Sequence, residues 1–91
     1  MIASAQIRAA RALLRWSAAD LSAASGVGTA TLQRMEVMDG VPTGNIRTLA
    51  AIKLALEEAG VEFIGRPDDQ PGVRLHAILS GTTSTKQIDE A

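Results

Sequence analysis

Cysteine is absent from this 91-residue chain, which excludes a disulfide framework and any cysteine-ligated zinc site. Aromatic residues are scarce: Trp16 and Phe63 are the whole set. The core must therefore be built from aliphatic side chains and alanine, which pack closely and favour helix. Histidine occurs once, at position 76, with no second ligand candidate nearby, so no metal site is expected. No apolar run reaches the ~20 residues of a membrane span, and no signal-peptide apolar region follows Met1. A cytoplasmic protein that keeps out of the membrane is expected. There is no Walker loop, no GxGxxG and no HExxH. Ser17 and Ser25 have no base placed beside them, so no enzyme activity and no cofactor are expected. Asp68-Asp69 lies between Pro67 and Pro71 and lacks the other ligands of a calcium loop, so it reads as a turn.

What is present is a charge asymmetry. The net charge is −1, yet residues 1–35 carry four arginines against Asp20 alone. The remainder holds five basic and nine acidic groups. A basic first third suits a surface that faces nucleic acid.

The stretch SAADLSAASGVGTATLQRME, from Ser17 to Glu36, organises the chain. Ser17 and Asp20 have the spacing of a capping box. Leu21 and Ala24 share a face. Gly26 stands where a first helix must stop, and Val27 points inward from the turn. A second helix starts near Gly28–Thr29, with Leu32 and Met35 inward and Thr29, Ala30, Gln33 and Arg34 outward. Helix, glycine-containing turn and helix with a small polar outer face form the helix-turn-helix pattern.

Before this stretch, Ser4 can cap a helix that runs to about Leu14, with Ile7, Ala10 and Leu14 as its apolar stripe and Leu13 widening it. Arg8, Arg11 and Arg15 recur along one side. They read either as a solvated basic edge or as Arg8 and Arg15 on phosphate with Arg11 paired to Glu36. Trp16 reads as a core plug. Gly40, Pro42 and Gly44 impose a loop of roughly six to eight residues. A further helix follows from about Asn45 to Ala59, with Ile46, Leu49, Ala50, Ile52, Leu56 and Ala59 on a broad apolar face. Val61–Ile64 and Val73–Ile78 then alternate, which predicts two short strands joined by the loop from Gly65 to Gly72.

Residues from about 5 to 60 resemble the XRE-type, phage-repressor-like helix-turn-helix family. The resemblance rests on Arg11 and Leu14, Trp16-Ser17, Leu21, Gly26-Val27, Thr31-Leu32, Met35-Glu36, and the later helix with Ile46, Leu49, Ile52 and Leu56. It implies a sequence-specific double-stranded DNA-binding transcriptional regulator, in most cases a repressor, bound as a homodimer in the cytoplasm or on the nucleoid. By family position, Thr29, Ala30 and Arg34 reach base edges in the major groove, with Gln33 next. The helix starts at Ser17, Asn45 and Arg47 face phosphate, beside Arg8 and Arg15, and Arg11–Glu36 is a structural ion pair. The chain departs from the family at four places: Ala18 replaces a phosphate-binding glutamine, Arg15 a helix-closing glycine, Ser22 an alanine, and Asp39 lies where basic residues are frequent.

The expected fold is thus mainly α. A four-to-five-helix repressor-like helix-turn-helix domain over 1–60 is followed by a short C-terminal β-hairpin over 61–79 and a disordered tail over 80–91. The hairpin either covers its own helices or pairs with a second chain. The second is favoured, with Met38, Val41, Val61 and Ile64 at the interface, because two recognition helices must sit about 34 Å apart. The alternative function on the same scaffold is a protein-interaction module, as an antitoxin or a regulator- or RNA-polymerase-binding protein, with weak or no DNA binding.

Overall fold

Helix α1 runs from Ser4 to Leu14, α2 from Ala18 to Ser25, α3 from Thr29 to Glu36 and α4 from Ile46 to Glu58. Strands β1, Val61–Arg66, and β2, Asp69–Leu75, follow. This is a computed structural model, and it describes residues 1–76. The expected tail over 80–91, and the last strand residues near Ile78, lie outside the described residues.

Local chemistry accounts for each helix start and stop. The Ser17 hydroxyl accepts the Asp20 N–H at 3.1 Å, and the Asp20 carboxylate accepts the Ser17 N–H at 2.9 Å, which closes the capping box of α2. Gly26 ends α2 in the left-handed conformation, φ 77°, where a side chain would be strained. The Asn45 side chain accepts the Arg47 N–H at 2.8 Å and starts α4. The cap of α1 is Ala3 rather than Ser4. Gln6 Oε1 reaches back to accept the Ala3 N–H at 2.8 Å, which frees the Ser4 hydroxyl for a tertiary contact.

One core joins all the elements. Ile7 and Ala10 from α1, Leu21 from α2, Leu32 and Met35 from α3, and Leu49, Ile52 and Leu56 from α4 are buried together with Val61 of β1. Trp16, Val27, Phe63 and Val73 pack against this cluster.

The expected fold class is corrected here. The described residues hold four helices and a two-stranded antiparallel sheet. That sheet is not a short appendage behind a helical domain. Its strands are six and seven residues long, β2 packs on α1 and β1 on α4, and Val61 belongs to the common core. The predicted eight-residue loop is mostly strand. Arg66 pairs with Asp69, so the turn itself is only Pro67-Asp68. The register shifts between Ile64 and Arg66, where Gln70 and Pro71 of β2 lie opposite Gly65 alone, and Gly65 takes φ 72° to accommodate this bulge. A Cβ there would lie 2.0 Å from the Gln70 carbonyl oxygen, so only glycine fits. Pro71 is tolerated within β2 because every strand of a two-stranded sheet has an open edge.

Two further expectations change. Val61 is buried in the chain's own core and so is not available to a second chain, while Val41 is half-buried against that core. Ile46 and Ala50 face out from α4, while Ala55 takes an inward position beside Leu56.

Candidate nucleic-acid interface

The turn between α2 and α3 is fixed by its own polar groups. The Ser25 hydroxyl donates to the Leu21 carbonyl at 2.7 Å and accepts the Val27 N–H at 3.2 Å. Val27 is half-buried against the core, which sets the entry angle of α3.

Helix α3 is two-sided. Leu32, Met35 and Glu36 are buried. Thr29, Ala30, Gln33 and Arg34 are exposed, and among the described residues none of their side chains makes a hydrogen bond or ion pair. Four adjacent positions thus present two amide or hydroxyl groups, one methyl and one guanidinium to the outside.

The C-terminal end of α3 is clamped by side chains of α1 at positions 4, 8 and 11, which helical periodicity brings to one side. The Ser4 hydroxyl donates to the Met35 carbonyl at 2.7 Å. The Arg8 guanidinium donates to the Glu36 carbonyl. Arg11 makes two parallel bonds to the Glu36 carboxylate, Nε to Oε2 and Nη2 to Oε1, both 2.7 Å. Its third donor, Nη1, meets the Trp16 carbonyl at 2.8 Å. The last carbonyls of a helix lack intrahelical donors, and two of them are supplied here. Two cations at this end also match the negative pole of the helix.

Glu36 is 6% exposed, so its charge depends on Arg11. The Arg11 guanidinium is held above its ordinary pKa: the hydrogen bonds to Glu36 are the largest cause, burial works against them, and the Glu36 charge adds to them.

The residues nominated for phosphate divide. Arg8 was expected on DNA, but its guanidinium is committed to the Glu36 carbonyl. Arg15 follows α1 in the left-handed region, φ 58° and ψ 37°, with its side chain exposed and unpaired among the described residues. Ser17 is exposed at the start of α2, but its box fills the Ser17 and Asp20 N–H groups with the chain's own oxygens. Asn45 and Arg47 are exposed at the start of α4.

Ser4 and Gln6 were missed as positioning residues. Gln6 carried a signal, since a glutamine three residues after a helix cap is half of a capping box. The role of Ser4 depends on a residue 31 positions away and has no local signature.

Among the described residues no group of three histidine, aspartate or glutamate side chains comes together to hold a metal ion, and no helix is long and apolar enough to cross a membrane. No protein-family model, no curated protein and no solved structure matches this chain.

Proposed function

We propose that this chain is a sequence-specific double-stranded DNA-binding transcriptional regulator of the XRE type, a repressor that reads the major groove with α3. The observation that carries the reading is the outer face of that helix. Thr29, Ala30, Gln33 and Arg34 are exposed and without partners among the described residues, on a helix whose opposite side is buried and whose end is clamped.

Each side chain has a chemistry suited to a base edge. A guanidinium matches the O6 and N7 of guanine, a carboxamide the N6 and N7 of adenine, and a methyl group the C5-methyl of thymine; a good bidentate pair discriminates by ~1–3 kcal/mol. Arg34, Gln33 and Ala30 take these roles, with Thr29 at the leading end. Arg15, Ser17 and Asn45 lie on phosphate and fix the register. Two copies on a two-fold symmetric site, about 34 Å between half-site centres, give the affinity that one small domain lacks. Such a regulator works in the cytoplasm, on the nucleoid.

The test is selection from a random duplex pool with the full chain, at low and at physiological salt, with Arg34→Ala alongside. The reading expects an enriched palindromic sequence, affinity that falls steeply with salt, and loss of preference at one base pair per half-site in the variant. A folded protein that enriches no sequence at either salt overturns it.

A further inference from the structure

Helix α4 carries two apolar faces, and the core uses one. Leu49, Ile52, Ala55 and Leu56 are buried. On the opposite arc Ile46, Ala50 and Leu54 recur at four-residue spacing, one above the other. Ile46 is 67% and Leu54 55% exposed, and nothing among the described residues covers them. Beside this stripe lies a groove of about 210 Å³ lined by Met1, Ile2, Ile46, Leu49, Ala50 and Lys53. Contiguous exposed apolar surface with a cavity in it is the mark of a docking face rather than of a solvated one.

We propose that this face is the dimer interface, and that its occupant is α4 of a second copy, running antiparallel about a two-fold axis level with Ile52. The charges of the helix favour that occupant. Its exposed ends have opposite sign, Arg47 at the start and Glu58 at the finish, while Glu57 pairs with Lys53 of its own helix at 3.7 Å. In the antiparallel register position 47 opposes 57, position 46 opposes 58, and position 50 opposes 54. Both ends of the contact then bring Arg47 of one copy beside Glu58 of the other. The shapes agree with the charges. Leu54 of one copy lies over Ala50 of the other, whose small side chain leaves the adjoining groove open to receive it. Knob, hole and both charges are on one helix, so the patch is self-complementary, as an isologous interface requires. Antiparallel helices also bring the positive pole of each against the negative pole of the other.

This assigns Arg47 to the partner copy instead of phosphate. It moves the interface off the hairpin, where Val61 is taken up by the chain's own core. The proposal supplies the dimer on which the DNA reading depends. Its test contains no DNA, so the two fail separately.

The experiment is sedimentation equilibrium on the full chain, at concentrations up to ~500 μM. The wild type is expected to dimerise. Leu54→Glu, at an exposed position that leaves the fold unchanged by circular dichroism, weakens the dimer by ~100-fold or more. Arg47→Glu alone and Glu58→Lys alone each weaken it by ~10-fold, because like charges then oppose across the axis. The double variant Arg47→Glu with Glu58→Lys returns to within ~3-fold of wild type. A monomeric wild type overturns the proposal. So does a dimer indifferent to Leu54→Glu, which places the interface elsewhere, and so does failure of the charge swap to restore what the single changes lose.

Discussion

Gln6 of α1 donates its side-chain amide to the Gly72 carbonyl of β2 at 2.9 Å. The same nitrogen donates to the Ile64 carbonyl of β1 at 3.2 Å, and Oε1 holds the Ala3 N–H. One buried carboxamide therefore starts a helix and ties both strands to it. Gln6→Leu strands one donor and two acceptors, and each unsatisfied buried group costs about 1–3 kcal/mol. Urea unfolding should register a loss of at least ~2 kcal/mol. Gln6→Glu keeps the bond to Ala3 but turns an oxygen toward two carbonyls. It should be destabilising near neutral pH, and a variant as stable as wild type would contradict the staple.

The Arg11–Glu36 pair should behave as a unit. Replacing either partner alone leaves the other poorly solvated, at a cost of ~3 kcal/mol, whereas Arg11→Met with Glu36→Leu should cost clearly less than the sum of the single changes. A double-mutant cycle in urea measures the coupling. The Arg11 pKa is raised in the folded state, so its contribution is present in full below the ordinary arginine value and is lost only as pH rises through the higher folded one. The coupling should therefore be the same at about pH 7 and about pH 10.

Arg15 adopts a conformation that glycine favours. Arg15→Gly relieves the left-handed strain and loosens the unfolded chain, for a net gain of up to ~1 kcal/mol. If its charge lies on phosphate, the same variant binds DNA more weakly, with a shallower salt dependence by about one counterion. Thermal melting and a salt titration should move in opposite senses.

Arg34→Ala should leave stability within ~0.5 kcal/mol of wild type, because the side chain is exposed and has no partner among the described residues. Its effect should appear in specificity, as a loss of ~1–3 kcal/mol of discrimination at one base pair per half-site. A uniform loss over all sequences would make Arg34 a phosphate contact instead.

What the sequence made legible was local. The Ser17–Asp20 box, the Gly26 stop and the Asn45 cap are each decided by residues within one turn of the helix, so spacing alone exposes them. Most of the sheet's turn end is hidden in the sequence because Pro67, Pro71 and Gly72 are loop residues by composition. The chain instead sets Gln70 and Pro71 of β2 opposite Gly65 of β1, which bulges β2, and keeps Pro71 on an open edge. Ile46 and Ala50 were placed on the buried face because α4 is apolar on two sides, and periodicity does not say which side meets the core. Arg8 looked free for phosphate because the carbonyl it meets is 28 residues away.

Helix α1 grips α3 through Ser4, Arg8 and Arg11 and both strands through Gln6. Amide hydrogen exchange should accordingly find α1, the end of α3 and the hairpin opening together, with one free energy, rather than as separate fraying pieces. A ligand seated on α3 would then slow exchange in the sheet without touching it. Protection in β1 and β2 becomes a remote gauge of whether the outer face of α3 is occupied.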